Sequence, residues 1–217
     1  YVKRSNNTLD VNTNSITDST INNDNGTTFD DMEEAIAEVS VGMVKRERTM
    51  TDDEKKIVAY HEAGHAIVAY MLKQCQPPIK VSIIPRGEAA LGYSQQEPSD
   101  QKLYSKEELF ARMCVLLGGR LAEKAIFNKI TTGASDDIEK LTKTAYGMIT
   151  VYGMNDVIGE LNIMDNNNQY KDMVSQKTKE SIDHEVNKLI KEAKRTTTTI
   201  INDNIHHLEK IANYLIE

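Results

Sequence analysis

The chain has 217 residues, which is enough for one domain of ordinary size and a tail. Its 26 Lys and Arg residues against 33 Asp and Glu residues give a formal net charge of −7, which argues against nucleic-acid binding because phosphate contacts require a basic surface. Two cysteines cannot form a disulfide framework, and no apolar run reaches the roughly 18 residues of a membrane-spanning helix.

The N-terminal segment, residues 1–28, is predicted to be disordered. Seven Asn residues lie among the first 25 positions, and Ser, Thr and Asp make up most of the remainder. The few isolated apolar residues cannot offset the entropy cost of ordering this segment. The chain begins with Tyr1 and shows no signal-peptide pattern, so we interpret it as part of a longer protein.

The next segment is predicted to be helical. From Phe29, apolar residues recur at spacings of three and four, which is a helical stripe that ends at the charged run 45–48. Thr51, followed directly by three acidic residues, is a helix-start signal, and we expect this second helix to extend to about Lys73. The two prolines that follow prevent its continuation.

The remaining pattern predicts one small sheet and several further helices. Two short β-rich runs, at 80–84 and 91–95, predict the strands. The expected helices cover residues 105–127, 135–152, 178–203 and 205–216. We expect the Gly118-Gly119 pair to interrupt the first of them as a packing bend; the alternative is that the pair lets this helix approach the helix that starts after Thr51 closely. The predicted fold class is therefore mainly α with one small β-sheet.

The strongest chemical signal is the sequence His61-Glu-Ala-Gly-His65 within an otherwise apolar helix. Residues four apart share one helix face, so both imidazoles can bind a single Zn²⁺. Glu62 lies one residue further round, where it can act as the general base of a metalloprotease. The alternative reading is two surface histidines with a neighbouring glutamate, but the apolar flanks argue against it.

A catalytic zinc site needs a third protein ligand. The long form of the motif is excluded, because Met71 stands where its third histidine would be. Glu88 in a turn and Glu123 in a helix of uncertain phase are possible ligands. Asp137 is the better candidate, since at about 100° per residue it borders the apolar face of its helix whereas Asp136 points away. Alternatively, Asp137 is simply an acid that favours the helix N-terminus.

Five separated segments carry a resemblance to a known family. They are HEAGH and its flanks at 60–71, VSIIPRG at 81–87, LGYSQ at 91–95, RMCVLLGGRLAE at 112–123 and ITTGASDDIEKLTKTAY at 130–146. This set resembles the protease domain of the membrane-anchored AAA metalloproteases, the FtsH family of bacteria and organelles. Among its branches, the chain looks most like the mitochondrial m-AAA, or paraplegin-type, proteases.

The resemblance covers about residues 29–217 and implies a domain organisation. Residues 29–50 would be the end of an ATPase lid and a linker. Residues 51–217 would be a zincin-like metalloprotease domain with an HExxH helix and C-terminal helices. The family's ATPase module and transmembrane helices are not found in this chain, so ATP and the membrane would act only through segments outside it.

The resemblance also implies site residues. The family's zinc ligands and general base fall on His61, His65, Asp137 and Glu62. The short strand with Gly92, Tyr93 and Ser94 would be an edge strand that pairs with an extended substrate backbone. The alternative for this strand is an ordinary hairpin strand without a binding role.

The implied function is that of a zinc endopeptidase that degrades unfolded or unassembled proteins, including membrane proteins, for quality control. The full-length protein would be a homo- or hetero-hexamer in an organelle inner membrane, with this domain on the matrix side of mitochondria. One alternative is a non-catalytic oligomerisation or scaffold domain that retains a zinc-binding helix. Another is a zincin of a different clan with a glutamate as third ligand. The intact Glu62 favours an enzyme.

Overall fold

The computed structural model describes residues 28, 31–32, 35–36, 38–39, 50–85, 92–96, 101–163 and 174–217. The principal helices are α1 (Asp52–Met71), α2 (Lys106–Phe127), α3 (Ser135–Thr150), α4 (Gln176–Asp203) and α5 (Ile205–Ile216). The two strands are β1 (Pro78–Ser82) and β2 (Tyr93–Gln96), and a 3-10 turn, Thr132–Ala134, leads into α3. The predicted fold class, mainly α with one small sheet, is confirmed.

The predictions for the N-terminal part concern residues that lie largely outside the described ranges. The segment predicted to be disordered, 1–28, is described only at Thr28, and the segment 29–50, predicted to be lid and linker, only in part. The described positions between 31 and 39 are helical, as the apolar spacing predicts. Their apolar side chains are exposed, Val39 at 90%. The division of the chain at residues 28 and 50 stays a prediction.

Helix α1 is the central helix of the domain. It begins with a capping box, in which the Thr51 side chain accepts from the Glu54 backbone N–H and the Glu54 carboxylate accepts from the Thr51 backbone N–H. It ends at Met71, two residues before the predicted end. Helices α2 and α5 and the small sheet all contact it. Most side chains between Val58 and Ala69 are therefore buried.

Helix α2 is continuous through Gly118 and Gly119, so the predicted interruption is wrong. The two glycines lie where α2 crosses α1 at close range. A Cβ atom on Gly118 would lie 2.6 Å from the Gly64 carbonyl oxygen, and one on Gly64 would lie 2.5 Å from the Gly118 carbonyl oxygen. This contact between helix backbones outweighs the helix-propensity cost of about 1 kcal/mol for each glycine.

The sheet is an antiparallel pair beside α1. Ser82 pairs with Tyr93, and Val81 pairs with Ser94. Strand β1 begins at Pro78, earlier than predicted, and its register is irregular between Pro78 and Lys80. A proline is tolerated as the first residue of a strand, because the missing N–H removes no interior hydrogen bond.

The two C-terminal helices complete the core. Helix α4 packs against α2 and α3, and α5 packs against α1. Ile201 and Leu208 are almost completely buried in this region. The Lys55 Nζ donates to the carbonyl oxygen of Ile216 over 2.6 Å, which ties the end of α5 to the first turns of α1. Within the described residues, none of the helices combines the length and apolar character needed to cross a membrane.

Candidate metal centre

Two histidines of α1 and one aspartate of α3 bring three ligand atoms together. His61 Nε2 lies 3.0 Å from His65 Nε2, since residues four apart share one helix face. Asp137, in the first turn of α3, places its Oδ2 atom 3.2 Å from each of these nitrogens. Among the residues that the structure describes, this is the group of His, Cys, Asp and Glu side chains arranged closely enough to hold a metal ion.

The far side of each imidazole ring is hydrogen-bonded, and this fixes which nitrogen faces the other ligand atoms. His65 Nδ1 lies 2.7 Å from the Val115 carbonyl oxygen, and because a carbonyl oxygen only accepts, Nδ1 donates. His61 Nδ1 lies 2.6 Å from Oε1 of the buried Glu123, whose carboxylate likewise accepts. In neutral rings, both Nε2 atoms therefore present lone pairs to the shared point.

This donor set fits Zn²⁺. With both rings neutral, three electron-rich atoms face one another at 3.0–3.2 Å with no proton between them, and a cation among them removes the repulsion. A tetrahedral zinc ion with ligands at about 2.0–2.1 Å separates neighbouring ligand atoms by about 3.3–3.4 Å. Two imidazole nitrogens and one carboxylate oxygen are also the ligand types of catalytic zinc sites.

The electrostatics of the site favour positive charge at this point. Burial, the largest single influence on His61, lowers its pKa, but hydrogen bonds with Asp137 and Glu123 outweigh burial and raise the pKa to about 9. For Asp137 the largest single influence is again burial, which raises the pKa of a carboxyl group. Hydrogen bonds and charge interactions with the two imidazoles outweigh burial and hold the pKa of Asp137 well below the usual carboxyl value. The same negatively charged carboxylates that favour a proton on His61 also favour a metal cation.

The structure distinguishes Asp137 from two other carboxylates weighed as a third ligand, Asp136 and Glu123. Asp137 faces the two Nε2 atoms, whereas the Asp136 side chain is 70% exposed and pairs with Lys140 at 2.6 Å. Glu123 does not face this point, because its Oε1 accepts from the far nitrogen of His61 and its Oε2 accepts from the Thr131 backbone N–H at 3.0 Å. Glu88 lies outside the described residues.

Glu62 is buried next to the two histidines. Its side chain is on the same helix turn, and burial raises the pKa of its carboxyl group while the charges of His61 and His65 lower it. A raised carboxyl pKa suits a group that must both accept and return a proton near neutral pH. Such a carboxyl group can take up and release a proton next to the point where the three ligand atoms meet.

The predicted substrate strand begins directly against Glu62. A Cβ atom on Gly92 would lie 2.8 Å from Glu62 Cγ and 2.9 Å from Glu62 Oε1, so the bare backbone of Gly92 covers the carboxylate. Tyr93 is buried, and Ser94 is partly exposed in the following position of β2. The Tyr93 side chain therefore belongs to the core, and at this position only the backbone is left for a contact with a substrate.

Two supports of the site escape sequence reasoning in their actual roles, and a third leaves a signal in the sequence. The Val115 carbonyl that holds His65 leaves no mark in the sequence, because every residue carries such a group. Glu123 is identifiable as a site residue, but which ring nitrogen it meets depends on how α2 crosses α1. The Gly118-Gly119 pair is the one support that can be recognised in the sequence, since two glycines within an apolar helix indicate close contact with a neighbouring element.

Two histidines and a carboxylate around one point, with a glutamate beside them on an HExxH helix, define a metallopeptidase-type centre. Residues 48–217 match the model described as peptidase family M41, and the chain belongs to this family. The predicted resemblance to FtsH-type proteases is thereby confirmed.

The relatives that this chain resembles include bacterial proteases and mitochondrial proteases. The ATP-dependent zinc metalloprotease FtsH of Chlorobium luteolum is 44% identical over 193 residues, which cover 86% of this chain and 27% of the relative. The mitochondrial inner membrane m-AAA protease component AFG3L2 of Mus musculus is also 44% identical, over 85% of this chain and 23% of the relative. The m-AAA component YTA10 of Saccharomyces cerevisiae is 41% identical, over 89% of this chain and 26% of the relative.

The chain thus spans about a quarter of the length of these relatives. The matched part is the peptidase region, and both m-AAA components and bacterial proteases are among the relatives. Because the bacterial and the mouse protein share the same identity with this chain, identity alone does not separate the two branches.

Proposed function

We propose that this domain is a zinc-dependent endopeptidase in which His61, His65 and Asp137 hold the metal and Glu62 is the general base. The observation that carries the proposal is the convergence of two imidazole nitrogens and one carboxylate oxygen within 3.2 Å, with the buried Glu62 beside them. Each imidazole is oriented by its own acceptor, which is the usual arrangement around a catalytic metal.

Bound Zn²⁺ would supply Lewis-acid chemistry, polarising a carbonyl and making water more acidic. Glu62 would take the proton of the attacking water on its carboxylate and return it to the amine that leaves. Glu123 would keep the His61 ring in place and in the tautomer that presents Nε2. Burial raises the pKa of the Glu62 carboxyl group, which favours its return of the proton to the leaving amine.

The proposed substrate is an extended polypeptide. Backbone groups at Gly92, Tyr93 and Ser94 would pair with it by adding a strand to the sheet, which is a sequence-tolerant way of binding. Within the described residues the sheet consists of β1 and β2 alone, so the second edge of β2 faces away from β1. Glu62 lies directly against the start of this strand, so a paired chain would pass the general base.

The whole protein would then be an ATP-dependent AAA protease that degrades unfolded or unassembled proteins. Similarity to the FtsH and m-AAA relatives supports this assignment. In it, a homo- or hetero-hexamer would be anchored in a membrane by segments outside this chain, and ATP would act through an ATPase module. Of the possible locations, we favour the inner mitochondrial membrane with this domain on the matrix side.

The test is proteolysis of an unfolded protein such as casein by the zinc-loaded protein and its Glu62→Gln variant. The variant should keep its zinc and lose about 10²–10⁴-fold in turnover, since it cannot accept the proton. Asp53→Asn changes an exposed acid of the same helix and is the matched control. Equal turnover of Glu62→Gln and wild type would refute the role of Glu62. Zinc binding without any cleavage by the wild type would favour a scaffold function instead.

A further inference from the structure

The imidazole of His61 lies directly on the bare backbone of Gly119. A Cβ atom built on Gly119 would be 2.5 Å from Cε1 and Nε2 of His61 and 2.6 Å from Cδ2. These separations are far inside van der Waals contact for carbon and nitrogen, which begins near 3.5 Å. At least three of the five ring atoms would clash, so the ring occupies the space that any side chain at position 119 would fill.

Gly119 is the middle member of a row on α2 that faces both histidines. Val115, Gly119 and Glu123 are spaced by four residues and therefore lie on one helix face. The first supplies the carbonyl oxygen that accepts from His65, and the last supplies the carboxylate that accepts from His61. The ring of His61 can reach Glu123 at 2.6 Å because the position between the two supports carries no side chain.

We infer that Gly119 is a positioning residue for the metal centre. Because Gly119 has no side chain, the His61 ring can adopt the orientation in which it presents Nε2. The inference rests on the proposed zinc site. With alanine at position 119, the ring must rotate away. The ring ends a flexible side chain, so the metal-free protein can accommodate this movement. The metal-bound protein cannot, because Nε2 must stay beside His65 and Asp137. The penalty therefore falls mainly on metal binding.

The neighbouring Gly118 gives the opposite expectation. A Cβ atom there would lie 2.6 Å from the Gly64 carbonyl oxygen, which is backbone and cannot swing aside. Alanine at position 118 must separate α1 from α2 whether or not metal is bound. Gly147 of α3 provides a neutral comparison, because a Cβ atom there would make an ordinary contact of 3.5 Å with Tyr152 Cε2.

The experiment compares Gly119→Ala, Gly118→Ala and Gly147→Ala in three measurements. These are zinc affinity by competition with a chelator, the melting temperature of the metal-free protein, and the visible absorption spectrum after Co²⁺ loading. Gly119→Ala should lose about 10–100-fold in zinc affinity, as expected when the support of a ligand is disturbed. Its Co²⁺ spectrum should change, while its metal-free melting temperature should fall less than that of Gly118→Ala. Gly147→Ala should match the wild type in affinity and spectrum.

Two outcomes would overturn the inference. One is a Gly119→Ala protein with the zinc affinity and Co²⁺ spectrum of the wild type. The other is a loss of metal-free stability as large as that of Gly118→Ala, because Gly119 would then serve only the packing of the helices. A wild type that fails to bind zinc would instead refute the proposed zinc site, and the inference with it.

Discussion

Helix α2 makes two contacts of opposite character. Towards α1 it presents Gly118, Gly119 and the buried Glu123, so backbone and a carboxylate meet the HExxH helix at close range. Towards α4 it presents Cys114, whose carbonyl oxygen accepts from the buried Thr197 hydroxyl at 3.2 Å. The first contact positions the polar groups of the candidate site, whereas the second lies within the hydrophobic core, which includes Cys114 and Ala193. Substitutions in the first should change metal binding, and substitutions in the second should change stability.

The sharpest test of the first contact is at the start of α3. Asp137→Ala removes a proposed ligand, so zinc affinity should fall by more than the roughly 10–100-fold expected for an outer support. Asp136→Ala is the matched control, because this neighbouring acid is exposed and pairs with Lys140. Competition with a chelator measures both affinities. Equal affinities of the two variants would contradict the assignment of Asp137.

The hydrophobic core to which α4 and α2 both contribute can be weakened without touching the site. Ile201 of α4 is 1% exposed, so Ile201→Ala should lower the free energy of unfolding by about 2–5 kcal/mol through lost burial and a residual cavity. Denaturant unfolding measures the loss, and Thr199→Ala, at an exposed position of the same helix, is the control. Zinc affinity of the folded variant should equal that of the wild type. A large loss of affinity would mean that the two contacts of α2 are not independent.

A smaller effect is expected at Glu123, which hydrogen-bonds the ring nitrogen of His61 that points away from the proposed metal. Glu123→Gln keeps the shape of the side chain but removes the charge that holds His61 Nδ1. Zinc affinity should fall by about 10–100-fold, as is typical for an outer carboxylate partner of a metal-binding histidine. Glu107→Gln, at an exposed position of the same helix, should change nothing. An unchanged affinity in Glu123→Gln would show that the His61 ring is held by packing alone.

The two contacts also differ in how far the sequence predicts them. Apolar periodicity and capping signals predict the helices, and the phase of α3 correctly turns Asp137 inward and Asp136 outward. These features depend on neighbours along the chain, so local patterns reveal them.

The remaining features depend on how helices cross. The Gly118-Gly119 pair suggests a break by propensity alone, but the contact with Gly64 keeps α2 continuous. Whether Glu123 meets the near or the far nitrogen of His61 is decided by the same crossing. The Val115 carbonyl leaves no side-chain signal at all. Periodicity describes one element at a time and cannot supply distances between two.

The central claim is that zinc is held by His61, His65 and Asp137, while Glu123 accepts a hydrogen bond from His61 Nδ1. Anomalous X-ray diffraction at the zinc edge, from crystals of the zinc-loaded protein, tests it most directly. We expect one strong peak about 2.0–2.2 Å from His61 Nε2, His65 Nε2 and an Asp137 carboxylate oxygen. A peak bonded to Glu123 in place of Asp137, or no peak between the two histidines, would contradict it.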